Sequence, residues 1–163
     1  MTRTMVYLPD NLHKAIKYLA VERHTSMAKL VQEALESLYQ EDIEDLKVGR
    51  ERLVGFLEHP SKASSYSEYR AKRPKKQVAG KYQTFLEPRA ERELDKISRP
   101  EFSKIDKAIL SLGSNPRPFG VKKLDDKLHR IRVGHWRIIY AIFDEESKLV
   151  ILRVVRCNER TYK

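Results

Sequence analysis

The sequence predicts an α+β fold, in which a helical head and a connecting helix precede a small antiparallel sheet. Apolar residues recur at helical spacing through most of the first 57 residues, whereas the last third consists of short runs typical of strands. Charge follows the same division. Residues 1–40 carry 5 Lys and Arg against 4 Asp and Glu, residues 41–69 carry 4 against 7, and residues 76–163 carry 20 against 12.

The head contains one predicted strand and two predicted helices. Residues 2–8 alternate in character and end at Pro9, as a strand does. Asp10 or Asn11 is the expected cap of a helix that runs to about residue 23, and Ser26 is the expected cap of a second helix that runs to about residue 40. Forty residues bury too little apolar surface to be stable alone, so this unit is expected to dimerise.

An acidic connection follows the head. Residues 41–57 predict an amphipathic helix, weakened in its middle by Gly49. Its predicted contact residues are Ile43, Leu46, Leu53 and Leu57. Residues 61–80 have the composition of an extended linker, although residues 64–69 are also suited to adding a strand or short helix to a partner surface. We therefore divide the chain into 1–40, 41–69, a linker at 70–80, and 81–163.

The final segment predicts one strand, two helices and a meander. Residues 82–86 alternate as an edge strand, and residues 89–112 form two helical stretches broken near Pro100. Four runs with strand character come next, joined by short turns at 134–135 and 144–147: VKKL, HRIRVG, WRIIYAIF and KLVILRVV.

The run HRIRVGHWRIIY at residues 129–140 places arginines within apparent sheet core. Alternate side chains of a strand share a face, so Arg130 and Arg132 are expected to point the same way. A second run after residue 150 adds further cations and a tyrosine: Arg153, Arg156, Arg160 and Tyr162. Converging guanidinium groups beside a phenol suit a phosphodiester. A solvated basic strand face is the alternative, and two such strands favour nucleic acid over it.

Other classes of site find no support in the sequence. Cys157 is the sole cysteine, and the five histidines lack metal-ligand spacing, so neither a metal nor a cofactor is predicted. No apolar run approaches the length of a membrane span, which predicts a soluble, cytoplasmic protein without membrane contact.

The head resembles the ribbon-helix-helix repressors, particularly their CopG-like and antitoxin members, through RTMVYLPDNLHKAIKYLA and TSMAKLVQEALESL. The resemblance implies a homodimer or larger assembly whose paired strands enter the major groove of operator DNA. It directs Arg3, Met5 and Tyr7 towards the bases and Ser26 with Lys29 towards a phosphate; the opposite register buries Met5 and Tyr7 instead. A dimerisation unit without DNA contact is the alternative.

Residues 81–163 resemble the RelE/ParE toxins through LHRIRVGHWRIIYAIFDEE, LVILRVV and RTYK. In the RelE branch the toxin enters the ribosome and cuts mRNA by attack of a ribose 2′-hydroxyl on the neighbouring phosphodiester. The resemblance assigns charge stabilisation to Arg130 and Arg132, phosphate clamping to Arg137, and base stacking or proton movement to Tyr162. Asn158 stands where an arginine is usual, and Arg156 and Arg160 flank it.

Together the two resemblances imply a toxin and its antitoxin in one chain, by natural fusion or by engineered joining. The antitoxin part binds DNA as a repressor, and residues 41–69 neutralise a latent endonuclease of their own or a neighbouring chain, whose partners when free are the ribosome and mRNA. Two alternatives remain: a transcriptional regulator whose toxin-like domain is degenerate, and a gyrase inhibitor of the ParE type.

Overall fold

The structure, a computed structural model, describes residues 4–72 and 81–157. The chain divides into two compact units, Met1–Ile43 and Glu44–Lys163, and the boundary falls within a single long helix. The second unit holds a six-stranded sheet with helices on it, so the predicted α+β class is confirmed.

The head unit consists of α1 (Asp10–Glu22) and the first part of α2 (Met27–Glu58). The backbone amide of Lys29 donates to the hydroxyl of Ser26 over 3.1 Å, which confirms Ser26 as the cap of α2. The predicted cap of α1 is wrong, because Asp10 already lies in the helix and Pro9 holds the cap position without a side-chain hydrogen bond. Residues 4–9 form no strand in the single chain, since a strand needs a neighbour to complete its backbone hydrogen bonds.

Helix α2 is longer than predicted. Instead of ending near residue 40, it continues without interruption to Glu58 and joins the two predicted helices into one of 32 residues. The chain from residue 40 to residue 58 contains no proline, and Gly49 is accommodated in the middle of the helix. No helix in the described part of the chain is long and apolar enough to cross a membrane.

The sheet has the strand order β1-β2-β6-β5-β4-β3. Its strands are β1 (Ser64–Ser65), β2 (Gln83–Leu86), β3 (Lys122–Lys123), β4 (Leu128–Val133), β5 (Trp136–Phe143) and β6 (Lys148–Arg156). β2 and β6 are parallel, and every other neighbouring pair is antiparallel. The prediction that residues 82–86 form an edge strand is wrong, because β1 pairs with the outer side of β2.

Two apolar clusters lie on opposite faces of the sheet. On one face, residues of β5 and β6 pack against α4 (Pro88–Asp95) and α5 (Arg99–Ser114), where Leu94, Ile105 and Ile109 are fully buried. The break between α4 and α5 confirms the predicted interruption near Pro100. On the other face, Leu128, Ala141, Val150 and Leu152 form a smaller cluster with Phe56 of α2. The second half of α2 therefore covers the face that α4 and α5 leave open.

Residues 60–71 are ordered on the second unit, which corrects the prediction of a linker there. A 3-10 turn (Pro60–Lys62) leads into β1 and then into α3 (Tyr66–Ala71). Arg70, the first residue of the predicted 70–80 linker, is buried together with Tyr66 and Tyr69. The alternative expectation for this stretch, a strand or short helix added to a partner surface, matches both β1 and α3.

Candidate functional site

Three arginines lie on the face of the sheet that α2 covers. Arg130 and Arg132 alternate along β4, and Arg132 stands directly across from Arg137 of β5. Like charges in directly opposed positions destabilise a strand pair. A sheet that buries Arg130 and Arg137 beside a third guanidinium therefore needs an anion at this place.

The anion in this structure is the carboxylate of Asp45, from the second half of α2. Arg130 Nη1 donates to Asp45 Oδ2 over 3.0 Å, and Arg137 Nε lies 3.4 Å from Asp45 Oδ1. All three side chains are nearly inaccessible to water: Asp45 is 3% exposed, Arg130 7% and Arg137 5%. One carboxylate thus bridges two guanidinium groups from adjacent strands, a geometry that two phosphate oxygens can also adopt.

The close packing of α2 against the sheet explains how Asp45 reaches this position. Gly49, one helical turn after Asp45, is buried against Ile139 and Leu128. A Cβ at position 49 would lie 3.2 Å from Ile139 Cγ2 and 3.3 Å from Leu128 Cδ1, so any side chain there would require these neighbours or the helix to shift. Further along α2 the covered face continues through Leu46, Leu53 and Phe56.

Two of the four predicted contact residues of this helix are corrected by the structure. Leu46 and Leu53 pack against the smaller cluster, but Ile43 and Leu57 remain 54% and 55% exposed. The covered face instead includes Asp45 and Gly49. The apolar pattern missed both, because one is charged and the other has no side chain. Their spacing of one helical turn, continued at Leu53 and Phe56, is the signal that marks this face.

Among the other predicted catalytic residues, Arg156 lies on the face of the sheet opposite Arg130 and Arg137. It pairs with Trp136, which packs towards the α4 and α5 side, so its side chain points away from Arg130 and Arg137. A bulge in β6, at the shift between Ile139 and Tyr140, changes the alternation of side chains along this strand. Arg160 and Tyr162, with Asn158, lie outside the described residues.

His129 does not point towards the arginine cluster. His129 precedes Arg130 in β4, so its side chain points to the opposite face of the sheet. It is buried there and stacks on Tyr140, with 5.8 Å between the ring centroids. Its Nδ1 lies 3.1 Å from the carbonyl oxygen of Lys127, and burial lowers the pKa of the imidazole. His135 is exposed in the turn between β4 and β5.

Arg153 forms a structural ion pair with Glu93 of α4. Its Nε donates to Glu93 Oε1 over 2.7 Å, and the backbone amide of Val154 donates to Glu93 Oε2 over 2.8 Å. The carboxylate of Glu93 thereby ties α4 to the irregular part of β6. Arg153 is thus part of the helix-to-sheet contact, whereas Arg130 and Arg137 belong to the site.

The predicted DNA-contacting residues of the head are exposed where the structure describes them. Met5 is 81% and Tyr7 90% exposed, while Arg3 lies outside the described residues. Ser26 and Lys29 stand at the start of α2. Ala20 is the one buried apolar residue among the described residues of this unit. In residues 4–72 and 81–157, no cluster of His, Cys, Asp or Glu is arranged to hold a metal ion.

Comparison with known proteins identifies one segment of the chain. Residues 85–160 match the model of the ParE toxin of the type II toxin-antitoxin system parDE. No curated protein matches the chain. Similar solved structures include the RelBE2 toxin-antitoxin complex from Mycobacterium tuberculosis, at 26% identity over 46% of this chain and 96% of that one, with a TM-score of 0.39.

Two further solved structures are similar over nearly half of the chain. One is the archaeal RelE-RelB complex from Pyrococcus horikoshii, at 21% identity over 48% of this chain and 98% of that one, with a TM-score of 0.46. The other is the isolated RelE toxin of E. coli, at 18% identity over 48% of this chain and 86% of that one, with a TM-score of 0.45.

Proposed function

We propose that the ParE/RelE toxin domain at residues 85–160 is a ribosome-dependent mRNA endonuclease that residues 44–72 of the same chain keep inactive. The position of the Asp45 carboxylate is the observation behind this proposal, because it bridges Arg130 and Arg137 where a scissile phosphate would bind. A toxin whose phosphate-binding arginines are buried under a helix cannot admit RNA. The chain is then an antitoxin and a toxin in one polypeptide.

The proposed chemistry gives the arginines an electrostatic role. Attack of the ribose 2′-hydroxyl on the adjacent phosphodiester passes through a phosphorane that carries more negative charge than the substrate. Arg130 and Arg137 would bind its non-bridging oxygens in place of the two oxygens of Asp45. Arg132, exposed and directly across from Arg137, would contact the RNA backbone next to the scissile phosphate. Guanidinium groups stay protonated near neutral pH, so the proton must be moved by another group.

Tyr162 is the proposed group for base stacking or proton movement, with Arg160 beside it. A phenol with an ordinary pKa near 10 is a weak base at neutral pH, and neighbouring guanidinium groups would lower that pKa. This assignment rests on the resemblance of the RTYK sequence to the family. Arg156 takes no part in it, because its side chain points to the other face of the sheet.

The head is proposed to pair with a second copy and to bind operator DNA. Apolar side chains of the head are widely exposed in the single chain, among them Val6, Tyr18, Val21 and Leu38. A small unit whose described residues include one buried apolar side chain gains stability by covering such surface in a dimer. Pairing of residues 2–8 from two copies would form the DNA-contacting ribbon, with Arg3, Met5 and Tyr7 outward, and would make the chain an autorepressor.

The nuclease is tested by reversing the charge at position 45 in the full chain. Asp45→Lys places a third cation beside Arg130 and Arg137 and should force α2 off the sheet. Induction in bacterial cells should then arrest growth, and purified Asp45→Lys protein should cut mRNA on translating ribosomes. The wild-type chain should be tolerated and should cut at least tenfold more slowly.

Two matched variants control this experiment. Glu51→Lys makes the same change of charge on an exposed position of the same helix and should leave the chain harmless. Asp45→Lys combined with Arg137→Ala should lose the toxicity, because the phosphate clamp is gone. If Asp45→Lys is folded by circular dichroism yet neither arrests growth nor cuts mRNA, the endonuclease proposal is wrong.

The match to the ParE toxin model favours gyrase inhibition as the second candidate function. In that case Asp45→Lys should arrest growth without cutting mRNA and should block supercoiling by purified gyrase. A regulator with an inert toxin-like domain would show neither effect, while its head would still bind DNA. Growth, mRNA cleavage and gyrase supercoiling measured with Asp45→Lys therefore separate the three functions.

A further inference from the structure

The segment of residues 64–71 contacts the toxin domain on the side of α4 and α5, opposite the arginine cluster. β1 extends the sheet along β2, with Ser64 opposite Leu86 and Ser65 opposite Phe85. Ser64 Oγ also donates to Glu91 Oε2 over 2.8 Å. α3 follows at once and carries three buried side chains, Tyr66, Tyr69 and Arg70.

These three side chains bind two carboxylates of the helices α4 and α5. Arg70 Nε lies 2.7 Å from Asp106 Oδ1, and its Nη2 donates to Asp106 Oδ2 over 3.2 Å. The phenol of Tyr66 donates to Asp106 Oδ1 over 2.8 Å, and that of Tyr69 donates to Asp95 Oδ1 over 2.9 Å. Both carboxylate oxygens of Asp106 therefore bind side chains of the segment.

The chemistry of this contact is the reverse of that at the arginine cluster. There an acidic side chain of α2 enters a basic site, whereas here a basic and aromatic motif enters an acidic one. Aromatic rings also pack in this contact. The ring centroids of Tyr66 and Tyr69 are 6.0 Å apart, and those of Tyr69 and Phe102 are 6.5 Å apart. Asp106 is 5% exposed with the segment in place, so loss of the Arg70 guanidinium alone would leave a buried carboxylate without its cation.

We propose that the acidic face formed by Asp95 and Asp106 with the outer side of β2 is a peptide-recognition site, separate from the arginine cluster. Its ligand is the segment Ser-Ser-Tyr-x-x-Tyr-Arg at residues 64–70. Recognition of this segment, and not the covalent connection through residues 73–80, holds the neutralising part on the toxin domain. The site accepts the segment from the same chain or from a second copy.

This inference rests on the proposed division into neutralising and toxin parts, but it concerns binding and needs no RNA cleavage. A protease recognition sequence placed within residues 73–80 allows the folded full chain to be cut after purification. The two pieces should remain associated during size-exclusion chromatography and native mass spectrometry at micromolar concentration. Separation of the pieces on cutting would overturn the inference.

Arg70→Ala tests the motif itself. Loss of the cation leaves Asp106 buried without its charge partner, and the cut chain should dissociate with a Kd raised about 100-fold. Arg50→Ala is the matched control, because the Arg50–Asp125 ion pair also joins α2 to the toxin domain but is solvent-exposed. That control should change the Kd by less than about threefold. Equal effects of Arg70→Ala and Arg50→Ala would contradict the inference.

A gentler variant covers the case in which Arg70→Ala does not fold. Replacing both Tyr66 and Tyr69 by Phe keeps the rings and the ion pair but removes the phenol hydrogen bonds to Asp106 and Asp95. Dissociation of the cut chain should become about tenfold faster. An unchanged rate would show that the motif is not recognised. Failure of Asp45→Lys to arrest growth, with these binding results intact, would instead refute the nuclease and the gyrase inhibitor and leave the binding inference standing.

Discussion

Gly49 of α2 lies so close to Ile139 of β5 that a Cβ at position 49 would stand 3.2 Å from Ile139 Cγ2. The same point would lie 3.3 Å from Leu128 Cδ1. Gly55 lies six residues later in the same helix, and a Cβ there would meet nothing within 4 Å. Of these two glycines, Gly49 alone lies at a point of close approach and so affects the distance between the helix and the sheet.

Gly49→Val should lower the free energy of unfolding by about 1–3 kcal/mol, since the added side chain must push α2 away from the sheet. Gly55→Val, the matched control, should change it by less than about 1 kcal/mol, because its side chain enters open space. Urea unfolding followed by circular dichroism measures both. Equal destabilisation by the two variants would mean that position 49 is not a point of close approach.

The order of the elements after residue 81 could be predicted from sequence because each has a clear local signal. Alternating and helical apolar periods mark β4, β5, β6 and α5, and Pro100 marks the break before α5. Ser26 was found in the same way, since a serine just before an apolar helical run satisfies the first free amides.

The centre of the site could not be predicted, because its residues are defined by partners distant in the chain. Burial of Asp45 depends on Arg130, 85 residues later in the chain, which donates a hydrogen bond to its carboxylate. Tyr66 and Arg70 lie in a stretch with the composition of an extended linker, and their burial depends on Asp106 of α5. Local sequence patterns predict which side chains share one face of a helix. Burial of a charged side chain depends instead on an opposite charge from a distant part of the chain.

Asp45→Ala should be among the most destabilising single changes in the second unit. It leaves Arg130 and Arg137 buried together without their carboxylate, which costs about 3–5 kcal/mol. Asp125→Ala removes an exposed partner of Arg50 and should cost less than about 1 kcal/mol. Chemical unfolding at neutral pH compares them, and similar losses would contradict the role given to Asp45.

Inorganic phosphate should stabilise Asp45→Ala more than it stabilises the wild type. An anion that fills the place of the carboxylate binds the folded state of the variant, and its melting temperature should rise with phosphate concentration. In the wild type that place is taken by Asp45 itself. Sodium chloride at matched ionic strength is the control, and an equal response to both salts would argue against a phosphate site.

The buried histidine should make the chain less stable in mild acid. Burial lowers the pKa of His129 in the folded state, so its neutral form contributes stability above the ordinary pKa near 6.5, and this stability is lost as the pH falls. The loss is at most about 1.4 kcal/mol per pH unit. His129→Phe, which keeps a ring against Tyr140, should flatten the change in unfolding free energy between pH 7.5 and 5.5. His135→Phe, in an exposed turn, should leave it as in the wild type.

A second acid-dependent contribution should come from Asp144 in the turn between β5 and β6. Arg117 donates to its two oxygens over 3.0 and 2.6 Å, and Tyr82 donates to Oδ1 over 2.8 Å. The hydrogen bonds from Arg117, followed by that from Tyr82, lower the pKa of Asp144 from 3.8 to about 2. Because the pKa is depressed in the folded state, the stabilisation is present above about pH 4 and disappears as the pH falls through about 2.

Asp144→Asn should therefore reduce the steepness of acid unfolding between pH 4 and pH 2 while changing little of the slope at higher pH. The cluster is solvent-exposed, so 0.5 M salt should weaken its contribution in the wild type and bring the two curves together. Asp126→Asn, at a nearly fully exposed carboxylate paired with Lys123 at 3.5 Å, is the matched control. If both variants changed the acid slope equally, the Arg117–Asp144–Tyr82 contact would have no special role in holding the turn.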